Sequence, residues 1–234
     1  LVNGTGLLDS VMPECTYKLG SNADFVYDET VIADVDNAVA RFHNASIKFL
    51  PWVGGGDIVQ DIRTLFRNPN KFIDAAITEL KNRGFDGYNL DWEFGNFNPS
   101  DIKELVLFLD MFGNSVEALG KTLSVDVGGA YWTFPDSGVN HGNFKVITMN
   151  TYTSNFTRYA MNLDENLGII GREHLVVGLA TSCSPPMTFD NLASHFSIAA
   201  YSGIEELAIF RADYGQMNDF WPFLKYWKNG TMLY

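Results

Sequence analysis

The sequence predicts a TIM (β/α)8 barrel, formed as one catalytic domain over residues 1–234. Three observations predict it. Strand-like and helix-like segments alternate along the chain, as repeated βα units require. Several strand segments are nearly unbroken apolar runs, the pattern of a parallel sheet covered on both faces. No linker, low-complexity tract or internal repeat divides the chain.

The first strand falls within the first dozen residues and is poorly defined. Residues 23–27 supply the next strand and 34–42 its helix. Ser46–Val53 reads as a strand ended by three glycines, Gly54 to Gly56. Residues 57–66 and 69–82 are helical, with Phe72, Ile73, Ala76, Ile77 and Leu80 at helical spacing, and Gly84 stops the second helix. The strand 85–93 follows. Ser100 is placed to cap a helix to about Leu119, whose inner face holds Ile102, Leu105, Val106, Leu109, Phe112 and Val116. Strands at 122–128, 144–152, 174–181 and 205–211 then alternate with helices at 163–170, 188–201 and 217–227. About twenty residues separate the last two strands, too few for a second small domain. An open doubly wound sheet is the competing architecture, but no glycine-rich nucleotide motif follows the early strands.

Composition narrows the function. The chain carries 16 Lys+Arg against 28 Asp+Glu, a formal charge of −12, which repels phosphate backbones and argues against nucleic-acid binding. Apolar content of 46% supports a substantial core. No stretch approaches the roughly 18–20 apolar residues of a membrane span. Asn3, Asn44, Asn155 and Asn229 head Asn-x-Ser/Thr sequons, and the chain begins without Met. Together these suggest a secreted, lysosomal or vacuolar eukaryotic glycoprotein. Cys15 and Cys183 are compatible with one disulfide closing a long loop or with two separate thiols. His43, His141, His174 and His195 show no metal-ligand spacing, and no cofactor is implied.

The segment 85–93, Phe-Asp-Gly-Tyr-Asn-Leu-Asp-Trp-Glu, carries the chemistry. Alternation along a strand puts Asn89, Asp91 and Glu93 on one face and Tyr88, Leu90 and Trp92 on the other. Trp92 should therefore face the surrounding helices. A carboxylate ladder is expensive inside a fold unless it is paired or used. A lone Asp-x-Glu at a strand end would read as a salt bridge or a turn cap. A three-rung ladder preceded by Asp-Gly, at the strand exit where such barrels keep their active sites, points instead to Glu93 as a general acid.

This stretch resembles the signature of glycoside hydrolase family 18, the chitinases and their relatives, which runs Asp-Gly-x-Asp/Asn-x-Asp-x-Glu. Asp86, Gly87, Asn89, Asp91 and Glu93 meet it. Residues 72–85 look like the family's helix entering that strand. Trp52-Val-Gly-Gly falls where the family has Ser-x-Gly-Gly, and Met149–Tyr152 where it has Met-x-Tyr-Asp. The resemblance implies a retaining, substrate-assisted hydrolysis of β-1,4-linked N-acetylglucosamine, in chitin or chitooligosaccharides. Glu93 would protonate the glycosidic oxygen, while Asp91 would orient the substrate's acetamide, whose carbonyl attacks the anomeric carbon. Asn89, in place of the commoner Asp, implies one fewer negative charge in the site. Asn150 or Tyr152 would take the sixth strand's acetamide contact. Trp52, Trp132 and Tyr214, with Tyr131, are candidate sugar platforms, and Asp86 is included in the substrate-binding set. The chitobiose core of N-glycans is an alternative substrate. A chitinase-like lectin is the alternative outside catalysis, and unrelated barrel chemistry a third.

Overall fold

The computed structural model describes residues 6–13, 17–27, 29–55, 59–92, 97–130, 134, 142–182, 185–211 and 217–230. Mostly parallel strands alternate with helices in two compact units. One comprises residues 8–126 and 138–145; the other comprises 1–7, 127–137 and 146–234.

In the first unit the chain runs β1 (Ser10–Val11), β2 (Tyr17–Leu19), β3 (Phe25–Tyr27), α1 (Glu29–Asn44), β4 (Lys48–Phe49), β5 (Trp52–Gly54), α2 (Val59–Arg67), α3 (Pro69–Arg83), β6 (Gly87–Asp91), α4 (Pro99–Glu117) and β7 (Thr122–Val127, whose last residue groups with the other unit). The sheet order here is β7-β6-β5-β2-β3, while β1 pairs with β4. The expected first strand is thus the short β1. The single strand expected over 46–53 is two, because Pro51 between them has no N–H for a ladder. The strand expected over 23–27 is not a βα strand. β3 lies antiparallel to β2, and the turn between them closes with the Gly20 N–H donating to the Asp24 carbonyl. So tight a turn allows only a hairpin.

Helix ends follow local chemistry. Gly84 closes α3 in the left-handed conformation at φ 69°. The cap of α4 is Asn98, not Ser100. Its side chain accepts from the Ser100 and Asp101 N–H groups, and Asp101 reciprocates to the Asn98 N–H. Pro99 then occupies the first turn, where a missing N–H costs nothing. Gly87 opens β6 at φ 148°, and a Cβ built there would fall on the Thr122 carbonyl, so only glycine lets β6 and β7 come this close.

β6 divides the unit's polar and apolar chemistry. Tyr88, Leu90 and Trp92 are fully buried. Trp92 stacks on Phe108 of α4 at 5.6 Å and meets Phe72 of α3 edge-on at 6.0 Å. The Tyr88 hydroxyl donates to the Ala76 carbonyl at 2.8 Å. Trp92 therefore packs against the helices, as alternation requires.

The second unit contains β8 (Lys145–Thr148, whose first residue groups with the other unit), a 3-10 turn (Met149–Thr151), α5 (Phe156–Ile170), β9 (Leu175–Ala180), α6 (Phe189–Tyr201), β10 (Glu206–Phe210) and α7 (Met217–Lys228). β8, β9 and β10 are parallel neighbours in that order. Every residue of β9 is buried, which accounts for its continuous apolar sequence. The strand expected over 144–152 stops at Thr148, where the 3-10 turn begins. Only α6 lies between β9 and β10 among the described elements, so no small domain is inserted there.

Candidate active site

The ladder read from the sequence lies on the face of β6 opposite Trp92. Asn89 is buried. Its neighbour across the parallel ladder in β5 is Trp52. Its neighbour in β7 is Ser124, and Asp91 stands opposite Asp126 one rung further on. Paired residues of adjacent parallel strands share a face, so Asn89, Asp91, Ser124 and Asp126 form one polar patch. The Ser124 hydroxyl donates to Asn89 Oδ1 at 2.7 Å. The Asn89 amide in turn donates to Asp126 Oδ2 at 2.7 Å.

Asp126 is an unusual carboxyl. Burial pushes it up, a hydrogen bond from Asn89 pulls it partly back, and the charge of Asp91 raises it further, leaving it at about 7. Sequence reasoning missed this residue. Its signal was present, because Ser124 and Asp126 alternate along 122–128 as Asn89 and Asp91 do along β6. The neighbouring strand supplies a carboxyl beside Asp91, but one whose ionisation burial and the Asp91 charge oppose.

Trp52 is the β5 neighbour of Asn89. Its ring lies over Gly54, where a Cβ would come within 2.6 Å of it, so the glycine makes room for an indole on this surface. The structure thus brings together Asn89, Asp91 and Trp52. Asp86 is not among them. It precedes β6 at the strand's other end, roughly 16 Å from Asp91 at about 3.3 Å per residue. There Asp86 accepts from His43 Nε2 at 2.7 Å, the Phe49 N–H at 3.0 Å and Lys121 Nζ at 2.9 Å. Burial opposes its ionisation, but the Phe49 N–H, Lys121 and His43 outweigh it and hold the carboxyl below its usual range. Those partners make Asp86 a fastening between α1, β4 and the β6–β7 start, which corrects its place in the substrate-binding set.

In the other unit, Asn150 lies in the 3-10 turn after β8 and Tyr152 closes that turn. The Asn150 side chain accepts from the buried Asn166 of α5 at 2.9 Å, which commits it to packing. Tyr152 stacks nearly parallel on Phe210 at 5.8 Å, and Gly178 of β9 leaves space for its ring. Phe210, the last residue of β10, is 46% exposed. It is a further aromatic candidate that the sequence reading passed over in favour of Tyr214.

Glu93, Tyr131, Trp132, Tyr214, Cys15, Cys183 and Asn3 lie outside the described residues. Asn44, Asn155 and Asn229 are exposed. Among the described residues, no group of three or more His, Cys, Asp or Glu could hold a metal ion. No helix among them is long and apolar enough to cross a membrane.

Comparison with known proteins bears on the family and the fold. The family profile "Glycosyl hydrolases family 18" matches residues 15–163. No curated protein matches the chain in sequence. Among solved structures, a chitinase from Chromobacterium violaceum aligns with TM-score 0.76 at 10% identity, covering 97% of this chain and 93% of that one. A chitinase from Cycas revoluta in complex with (GlcNAc)3 aligns with TM-score 0.75 at 12% identity and the same coverages, 97% and 93%. A chitinase-like agglutinin from Robinia pseudoacacia aligns with TM-score 0.73 at 13% identity, covering 97% and 94%. These likenesses give the chain a TIM-like α/β fold.

Proposed function

The chain belongs to glycosyl hydrolase family 18, and from that premise we propose that it hydrolyses β-1,4-linked N-acetylglucosamine, in chitin or chitooligosaccharides, with retention at the anomeric carbon. The observation that carries this reading is the Asn89–Asp91 ladder on the polar face of β6, directed toward Glu93 in the sequence. Glu93 is the general acid that protonates the leaving oxygen. Asp91 receives the N–H of the substrate's acetamide, holding its carbonyl for attack on the anomeric carbon and offsetting the positive charge that develops. Trp52 offers an aromatic surface next to the ladder.

The absence of an inserted domain between β9 and β10 suits cleavage within a longer glycan. The same reading places the protein in a secretory, lysosomal or vacuolar compartment, with sugar on exposed Asn44, Asn155 and Asn229 and a Cys15–Cys183 bridge.

The direct test is product analysis with chitotetraose and a high-mannose glycopeptide side by side. Chitotetraose should be cleaved, and Glu93→Gln should lower the rate by about 10²–10⁴-fold while the folded circular-dichroism spectrum is kept. Cleavage of the glycopeptide alone would move the substrate to the chitobiose core of N-glycans. A second reading, a lectin, has one observation in its favour: an agglutinin carries the same fold. Tight binding of chitotetraose by the unmodified protein without turnover between pH 4 and 9 would establish that reading instead.

A further inference from the structure

The Asn at position 89 removes a carboxyl from the strand that carries the ladder, and the structure contains a replacement in a different place. We propose that Asp126 is the positioning partner of Asp91: the two carboxyls face one another across β6 and β7 and hold one proton between them, so that Asp91 meets the substrate's acetamide as the carboxylate. This rests on the hydrolytic reading above and extends it to a residue on a second strand.

Four observations converge. Asp91 and Asp126 are directly paired in the parallel ladder, so their side chains leave the sheet on the same face from strands about 4.8 Å apart. Two like charges so close cannot both be cheaply ionised, and one of the pair keeps a proton. The hydrogen bonds are one-directional: Ser124 donates to Asn89 Oδ1, and the Asn89 amide donates to Asp126 Oδ2. Asn89 is thus a relay that fixes the Asp126 carboxyl in place, using both of its polar atoms. Finally, among the described residues Asp91 is the titratable group whose charge bears on Asp126, with uncharged Asn89 and Ser124 beside it on β6 and β7. Burial and the Asp91 charge together outweigh the Asn89 hydrogen bond, and Asp126 rises to about 7, above the range in which an Asp normally ionises.

The arrangement divides the roles. A neutral Asp126 leaves Asp91 as the single anion of the pair, which is the form able to accept an acetamide N–H. Above neutrality Asp126 ionises as well, and the patch carries two facing negative charges.

The experiment has one arm that needs no catalysis. Carboxyl-carbon NMR of the intact protein should show Asp126 titrating near neutrality. In Asp91→Asn the same carboxyl should titrate lower by about one pH unit or more, because the like charge has gone. An unmoved Asp126 would overturn the pairing. The second arm is the pH profile of kcat/KM on chitotetraose. Asp126→Asn should extend the alkaline limb upward by about one pH unit, and adding Asn89→Asp, which returns a carboxyl partner to Asp91 from β6, should bring the limb back down. An Asp126 that served only as a structural acceptor for Asn89 would leave the limb in place and shift Tm alone, which refutes the proposal. If the unmodified protein cleaves no substrate, the hydrolytic reading fails; a carboxyl titration that still moves with Asp91→Asn would locate that failure elsewhere.

Discussion

The two ends of the β6–β7 pair hold carboxyls under opposite conditions. At the start of β6, Asp86 meets a lysine, a histidine and a backbone N–H, and its charge is stabilised despite burial. At the far end, Asp126 meets one amide donor and a second carboxyl, and its charge is opposed. The residue type is the same and the distance is a single strand length. The difference lies in what each environment offers the anion. A carboxyl supplied with cations fastens a fold; a carboxyl denied them stores a proton near neutrality, which is of use to chemistry. Strand polarity decides which is which, because barrel folds of this kind place their sites at the strands' C-terminal ends.

The largest loss of stability is expected of Asp86→Ala. It removes three hydrogen bonds and leaves Lys121 and the Phe49 N–H without their acceptor, a loss of about 3 kcal/mol. Because the folded carboxyl is depressed, its contribution is present above the unfolded pKa near 3.8 and disappears as pH falls through the lower folded value. Urea midpoints should therefore separate the two proteins at pH 7 and converge in strong acid. A gap that persists unchanged at low pH would remove the electrostatic account of this end.

Asp126→Asn should act with the opposite sign. A carboxyl raised to about 7 binds its proton more tightly folded than unfolded, so the native protein loses stability as pH climbs from about 4 to 7. The variant should match the parent near pH 4 and exceed it by about 4 kcal/mol at pH 8, since it keeps an acceptor for Asn89 and never ionises. A parent more stable than the variant at pH 8 would mean that the Asp126 charge is compensated after all.

Sequence reasoning reached one side of this site and not the other, for identifiable reasons. Alternation along a single strand is visible in one dimension, so Asn89 and Asp91 were placed correctly on one face and Trp92 on the other. Strand pairing is not visible in one dimension. Ser124 and Asp126 carry the same alternation, but that they stand opposite Asn89 and Asp91 is a matter of register. Asp86 was misplaced because it belongs to the motif while sitting before the strand that carries the motif's chemistry. The same limit explains β3: the apolar run 25–27 looks like any barrel strand, and only the closed turn from Gly20 to Asp24 makes it the second arm of a hairpin. Helices are more legible because their signals are local, with Gly84 as a stop and the 72–80 spacing as a face; even so, the cap of α4 is Asn98 and not Ser100, because Asn98 and Asp101 bond each other's backbone N–H reciprocally.

The smallest effect probes the hinge of the contrast, the orientation of one amide. Asn89 can turn either its N–H or its oxygen toward Asp126, and the two choices favour different protonation states. An amide donor suits the carboxylate, and an amide oxygen suits the neutral acid, which can donate to it. The buried Ser124 hydroxyl, 2.7 Å from Asn89 Oδ1, holds the oxygen on its own side and keeps the N–H on Asp126. Without that bond Asp126 would lose its main counterweight to burial. Ser124→Ala should therefore cost only about 1 kcal/mol of stability, the ordinary value of one buried hydrogen bond. It should also let the amide turn and raise the Asp126 titration above its present position. A stability loss with no upward movement of the Asp126 carboxyl signal would show that the amide's orientation is set by something other than Ser124.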